Sequence, residues 1–188
     1  FLAITVIGSE LGGSARFWLY AVKSVFGAWM LWALVGVIRE MRWAWSWEAL
    51  IVGVVVFLFW VGLDGLYPTL GSGSDPVTGW NPFEAFEGNL GLAWFFVAVR
   101  ILGSSLVVPP LEEVFYRSFI YRYLIDADFE KIPLNALRWM PFAITCLAFG
   151  LAHFEWLPGI LCGALYQGLV IRKGRLGDAM TAHAITNG

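Results

Sequence analysis

Long apolar stretches alternate with short polar connections along most of the chain. A helix needs about 20 apolar residues to span a bilayer. The apolar stretches are residues 17–38, 49–63, 92–108 continued by 111–124, 139–154, 160–171 and a last helix from 178, and residues 1–7 resemble the end of a further span. The pattern therefore predicts an all-α fold, a polytopic transmembrane helical bundle.

Prolines and small polar residues predict where these helices bend or begin. Pro109-Pro110 predicts a kink within one continuous helix, and Pro158-Gly159 predicts a turn or a kink. Asp178, directly after Gly177, is predicted to cap the N-terminus of the last helix. The chain begins without Met and stops with no polar tail after its last helix. We therefore expect a single domain over residues 1–188 that is a fragment of a longer chain.

Composition indicates a membrane protein. Of the 188 residues, 59% are hydrophobic and 14% are charged, with a mean hydropathy of +0.71, which is outside the usual range of soluble domains. Eight basic residues fall in connections that alternate spans place on one face, namely Arg39, Arg42, Arg122, Lys131, Arg138, Arg172, Lys173 and Arg175. That face is predicted to be cytoplasmic, and the loop 64–90, which has no Lys or Arg, to lie outside the cytoplasm. Because there is no basic tail or run, nucleic acid is not expected as a partner.

Ionisable and amide side chains inside the apolar stretches are the candidate chemistry. A charged group in hydrocarbon costs several kcal/mol, so function is the first explanation to test. At about 1.5 Å per residue, Glu112 and His153 each lie roughly 20 Å from the loop that joins their helices. By the same rise, His183 and Asn187 lie roughly 10–15 Å from the basic turn near Gly177. We therefore expect these side chains to converge around an intramembrane polar cavity, nearer the cytoplasmic face.

Spacing of four residues places further side chains on shared helix faces. The pairs are Glu113 with Arg117, Phe149 with His153, and His183 with Asn187. Glu112 lies about 100° round the helix from Glu113, so one carboxylate can hold Arg117 while the other faces the cavity.

Each of these residues also has a structural interpretation. Glu113 and Arg117 are more readily a structural ion pair than catalytic groups, Phe149 is most simply a packing residue, and Asn187 could join helices. The catalytic interpretation is favoured because both histidines and the only adjacent carboxylates fall at comparable depth on different helices. Among the other polar residues, Lys23 and Arg100 are interpreted as structural, and Glu155 is interpreted as marking the hydrated edge of the membrane. Tyr116 and Tyr121 are weaker candidates for the cavity wall, and Cys146 and Cys162 are interpreted as packing residues.

Three motifs together carry a family resemblance. They are Glu112-Glu113-Val114-Phe115-Tyr116-Arg117, Phe149-Gly150-Leu151-Ala152-His153 and His183-Ala184-Ile185-Thr186-Asn187. In this order, on hydrophobic helices, they resemble the EExxxR, FxxxH and HxxxN motifs of the CPBP family. This family comprises intramembrane CAAX-protease and bacteriocin-processing proteins, including type II CAAX prenyl endopeptidases. The resemblance covers a core of residues 109–187, and within the family the chain looks closest to the bacterial proteins associated with exosortase sorting systems.

The resemblance implies an intramembrane endopeptidase that cleaves a membrane-associated protein or peptide substrate near its C-terminus. It implies that Glu112, with His153, activates a water, and that His183, with Asn187, stabilises the oxyanion. Glu113 and Arg117 belong to the motif with less defined roles. The expected location is the lipid bilayer of a bacterial inner membrane, crossed several times.

Other functions and a metal remain open alternatives. Two histidines and a glutamate could hold zinc with an open fourth position, although the chain has no HExxH motif. Metal-free chemistry without a cofactor is favoured, because Asn187 one turn after His183 suits an oxyanion donor better than a ligand. A non-catalytic membrane adaptor or immunity protein would use the same cluster to join helices. A small transporter is disfavoured because symmetrical broken helices are lacking.

Overall fold

The computed structural model describes residues 14–70 and 80–188. Helix accounts for 72% of the structure, and these two ranges contain no strand, which confirms the predicted all-α class. The helices are α1 (Ala15–Leu34), α2 (Trp47–Leu63), the single turn α3 (Pro82–Ala85), α4 (Leu90–Tyr123), α5 (Trp139–Leu151), α6 (Trp156–Lys173) and α7 (Gly177–Asn187). The predicted span end at residues 1–7 lies outside the described residues.

Two helices, α1 and α4, are long and apolar enough to cross a membrane, and α2 and α5 are shorter apolar helices. Large apolar side chains point outward along them; Trp32 is 76% exposed and Met140 is 75% exposed. An outer surface of this kind suits contact with lipid better than contact with water.

Helix α4 runs without a break through Pro109 and Pro110, so the prediction of one helix through the proline pair is confirmed. Two π-helical stretches, Gly103–Val107 and Val114–Ile120, flank a short α-helical stretch, Val108–Glu113. The prolines lie in the first turn of that short stretch. Because proline has no backbone N–H, the helix accommodates the pair best where the regular hydrogen-bond pattern is already interrupted.

Helices α5 and α6 form a closely packed antiparallel hairpin. A Cβ atom on Gly159 would lie 2.9 Å from Cα of Gly150, so the two backbones touch through glycine. Of the two alternatives predicted for Pro158-Gly159, a turn or a kink, the turn is wrong: the connection is residues 152–155, and Pro158 lies in the first turn of α6. That position needs no N–H hydrogen bond, so proline there is compatible with a helix start.

Helix α7 packs against α2 and α6. A Cβ on Gly53 of α2 would lie only 2.7 Å from the carbonyl oxygen of Ala182. The helix begins at Gly177 after Leu176, so the prediction that Asp178 caps it is wrong. Asp178 lies inside the first turn, where its carboxylate forms an ion pair with Arg175 outside the helix at 2.5 Å.

The connections that carry basic residues lie at one end of the bundle, which we call the basic end. Arg122 at the end of α4 forms an ion pair with Glu40, at 2.9 Å, in the connection after α1. Lys173 at the end of α6 forms one with Glu48, at 2.8 Å, in the first turn of α2. These contacts join the ends of four helices, and they place these basic connections together, as the charge pattern predicted.

Candidate active site

A cavity of about 270 Å³ brings together residues from α2, α4, α5, α6 and α7. It contains all four residues predicted to be catalytic. Its lining is Trp60, Arg100, Ser104, Val108, Glu112, Phe149, His153, Cys162, Tyr166, His183, Thr186 and Asn187. Tyr116 and Tyr121, the weaker candidates for the wall, are not part of the lining; the hydroxyl of Tyr121 donates to the carbonyl of Ala136 at 2.7 Å instead.

Helix α4 contributes a line of four residues at intervals of four: Arg100, Ser104, Val108 and Glu112. In a regular α-helix, residues four apart drift round the axis by about 40° per step. The π-helical stretch Gly103–Val107 lies within this line and winds more slowly. Its wider turn offsets the drift and lets the four side chains face one cavity.

The adjacent carboxylates of Glu112 and Glu113 are in different environments. Glu113 is fully buried and forms an ion pair with Arg117, 3.2 Å from Oε2 to Nε, which confirms the pairing predicted from their spacing. Its other oxygen, Oε1, accepts a hydrogen bond of 2.9 Å from Nδ1 of His183. The Glu112 side chain is 28% exposed and faces the cavity.

One imidazole therefore lies between two carboxylates. Nε2 of His183 lies 3.9 Å from Oε2 of Glu112, on the opposite side of the ring from Glu113. The contact between Glu113 and His183 was missed from the sequence, because 70 positions separate the two residues and only the packing of α7 against α4 joins them.

Aromatic rings enclose the buried Arg117 guanidinium. Its centre lies 4.3 Å from the ring centroid of Phe149, and the rings of Tyr116 and Tyr166 lie 5.7 Å and 5.8 Å away. Such cation–π contacts partly replace the water that a buried cation loses. Phe149 thus packs as predicted and also separates Arg117 from the cavity that it lines.

His153 lies just beyond the last residue of α5. Its Nδ1 is 2.7 Å from the carbonyl oxygen of Phe149, and because a carbonyl only accepts, Nδ1 carries a hydrogen. A neutral His153 therefore keeps a free lone pair on Nε2. The resemblance implied that Glu112 acts with His153, whereas the imidazole that contacts Glu112 is that of His183.

His153 and Asn187 lie at the ends of α5 and α7 that are remote from the basic end. These helices have only 13 and 11 residues, so the depths expected from the helix rise reach their far ends. The expectation that the cavity lies nearer the cytoplasmic face stays a prediction.

Asn187 and His183 are held in place by groups that the sequence did not indicate. The Asn187 amide Nδ2 donates to the Ser104 carbonyl at 3.0 Å, and the Ser104 hydroxyl donates to the Asn187 carbonyl at 3.3 Å. The Tyr166 ring stacks on the His183 ring with centroids 5.1 Å apart. The Tyr166 hydroxyl donates to the hydroxyl oxygen of Thr186 at 2.7 Å. Single Ser, Thr and Tyr residues in apolar helices are too common to mark a site.

Arg100 also lines the cavity, although the sequence interpretation left it as structural. Its guanidinium lies 4.7 Å from the ring centroid of Trp80 and 5.7 Å from that of Tyr20. Within residues 14–70 and 80–188, no carboxylate forms an ion pair with it.

Glu155 lies outside the lining, and burial together with the charge of Asp64 raises the pKa of its carboxyl group.

Within the described ranges, no three His, Cys, Asp or Glu side chains are grouped so that they could hold a metal ion. One nitrogen of each imidazole is already bound within the protein, to Phe149 for His153 and to Glu113 for His183.

Comparison with known proteins places this site in a family. The family model for type II CAAX prenyl endopeptidase Rce1-like proteins matches residues 92–188, which is more than half of the chain and includes every motif residue. The chain belongs to this Rce1-like family. Rce1-like proteins are integral membrane proteases that act on membrane-associated protein substrates, and membership supports peptidase activity for this chain. No curated protein and no solved structure gives a match.

Proposed function

We propose that the chain is an intramembrane endopeptidase that cleaves a membrane-associated protein or peptide near its C-terminus. The observation that carries the proposal is the single cavity lined by Glu112, both imidazoles and Asn187, within the residues that match the family model. The protein would be a multi-pass helical bundle of a bacterial inner membrane, with the cavity inside the bilayer.

Glu112 is assigned the role of general base. It is the carboxylate of the adjacent pair that reaches the cavity, while Glu113 is occupied by Arg117 and His183. Glu112 takes a proton from water as the water oxygen adds to the scissile carbonyl carbon. When the C–N bond breaks, the same carboxyl group returns the proton to the leaving nitrogen. His153 is assigned to orient the water, through the lone pair on its Nε2.

His183 and Asn187 are assigned to stabilise the oxyanion. The Asn187 amide uses one of its two N–H groups on Ser104, which leaves the other for the substrate. His183 donates from Nε2 if its ring carries both protons. In that form, the positive charges of His183 and Arg117 balance the negative charges of Glu112 and Glu113, which reduces the cost of burying four ionic groups. Removal of one oxyanion donor typically costs about 100-fold or more in rate.

The test compares membrane proteomes of cells carrying the wild type or Glu112→Gln. The wild type should trim the C-terminus of one or more membrane-associated proteins that accumulate untrimmed with Glu112→Gln. Glu155→Gln is the matched control, because this carboxylate lies outside the cavity lining and its variant should trim normally. If Glu112→Gln trims every protein that the wild type trims while remaining folded, the assigned role of Glu112 is wrong.

Two further measurements separate the alternatives, one on the purified enzyme and one on variants in cells. A zinc enzyme would lose activity on chelation and regain it only with zinc, whereas the proposed glutamate-dependent, metal-free enzyme would not respond. An adaptor or immunity protein would retain its partner phenotype in folded Glu112→Gln, His153→Ala and His183→Ala variants. The peptidase would lose its cleavage activity in each of these three variants.

A further inference from the structure

Resting on the proposed function, the structure assigns Arg100 as the residue that binds the free C-terminal carboxylate of the substrate. Arg100 is the only Lys or Arg among the residues that line the described cavity, which it shares with Glu112. It is accessible, and it forms no ion pair with any carboxylate of the described ranges. A cation in an apolar helix is costly, and an anionic group of a bound ligand would offset that cost.

The surroundings of Arg100 leave its charge available to a ligand. Its two ring neighbours, Trp80 and Tyr20, can fix the guanidinium through their faces, while the N–H groups at the edge of the guanidinium remain free to donate. The Tyr20 hydroxyl donates to the Arg100 backbone carbonyl at 3.3 Å, which ties α1 to this point of α4. A guanidinium held in this way presents the planar fork that binds a carboxylate through two hydrogen bonds.

The size of the cavity favours a chain terminus over an acidic side chain within a longer segment. Its volume of about 270 Å³ is slightly below the usual range of ligand clefts, so it accommodates only a few residues. Arg100 and Glu112 are twelve positions apart on α4, or about 18 Å along the axis. An extended peptide covers that distance in about five or six residues, at roughly 3.3 Å each. Both side chains reach into the cavity, which shortens the distance between the guanidinium and the carboxylate. The scissile bond therefore lies within about five residues of the terminus.

The test is a cycle that changes the enzyme and the substrate separately. Purified protein is given two libraries of lipid-anchored peptides with a randomised C-terminal segment, one ending in a free carboxylate and the other in a carboxamide. For wild type, amidation should lower kcat/KM about 10- to 100-fold, chiefly through KM, which is the loss expected for one charged hydrogen-bonded pair. Arg100→Gln should cleave both libraries at the rate of the wild type on the amides, and Arg100→Lys should retain part of the preference.

Arg138→Gln is the matched control, because it makes the same change at an arginine that lies before α5 and does not line the cavity. This control variant should change the cleavage rates of the free-carboxylate library and of the carboxamide library by the same factor. The proposal is overturned if Arg100→Gln keeps the preference for the free carboxylate, or if it lowers both rates equally, as loss of a lipid phosphate contact would. It is also overturned if amides ending in Asp are cleaved as well as free acids.

A measurement on the wild type alone covers the case in which Arg100→Gln does not fold. Short peptides that end in a free carboxylate should inhibit the wild type more strongly than their amides do, and equal inhibition overturns the assignment. If the wild type cleaves neither library, the endopeptidase proposal itself fails. Cleavage of both libraries at equal rates leaves that proposal standing and removes only the role of Arg100.

Discussion

Gly53→Ala is expected to separate the two helices that position the oxyanion donors. The new Cβ would lie 2.7 Å from the Ala182 carbonyl oxygen and 2.8 Å from Cβ of Ile185, whereas ordinary contact begins at 3.4 Å. Helices α2 and α7 would therefore have to move apart by about 0.7 Å at this point. Both obstacles lie on or next to the α7 backbone, so no side-chain rotation relieves the overlap.

The magnitude follows from a matched control on the same helix. A Cβ on Gly62 meets nothing within 4 Å, so Gly62→Ala gains the same helix propensity without the overlap. The difference between the two variants isolates the steric cost, which is about 1–3 kcal/mol for overpacking. For a chain of this size, each kcal/mol corresponds to roughly 2–4 °C in Tm.

The assay is thermal unfolding of both purified variants in detergent, together with cleavage rates at a temperature where both are folded. We expect Gly53→Ala to melt below Gly62→Ala and to lose kcat, because the shift of α7 displaces His183 and Asn187. Equal Tm and equal kcat for the two variants would refute the packing of α2 against α7 described above.

Three further variants test other parts of the structure. Glu113→Gln leaves the buried Arg117 without its counter-charge and should lower stability by about 3–5 kcal/mol, measured by thermal unfolding; unchanged stability would show that the pair is not buried. Asn187→Ala should lower kcat about 100- to 1000-fold with little change in KM, and a wild-type kcat would remove Asn187 from the oxyanion site. Gly174→Ala, at φ +66° after α6, should cost about 1–2 kcal/mol in unfolding experiments, whereas Gly168→Ala, which meets no atom within 4 Å, should not; equal Tm values would contradict that backbone conformation.

The sequence was most informative where a single helix fixed the relation between residues. The pairing of Glu113 with Arg117 follows from helical spacing alone. The continuity of α4 was also predictable, because stretches in which apolar residues predominate lie on both sides of Pro109-Pro110. The helix ends were harder to predict. The predicted stretch continues past Leu151 to Phe154, but helix α5 ends at Leu151, where Gly150 and Gly159 bring α5 and α6 into contact.

Contacts between helices could not be read from the pattern. The hydrogen bond from His183 to Glu113 and the one from Asn187 to Ser104 depend on how α7 docks against α4. Hydropathy does not encode that docking, because an apolar helix presents no distinct inner face to a lipid environment. The sequence interpretation gave Arg100 a structural role because it counted no second polar group at helical spacing, although Ser104 lies four positions further along.

The π-helical stretch Gly103–Val107 fixes the rotation between the two parts of α4. Its five residues turn the chain about as far as four residues of ordinary α-helix. Deleting one residue there, with return to an ordinary helix, would therefore leave Arg100 in line with Glu112, whereas a deletion in the regular stretch that follows would turn Arg100 away by about 100°. Along α4, the place of a single-residue deletion should therefore decide whether selectivity survives it.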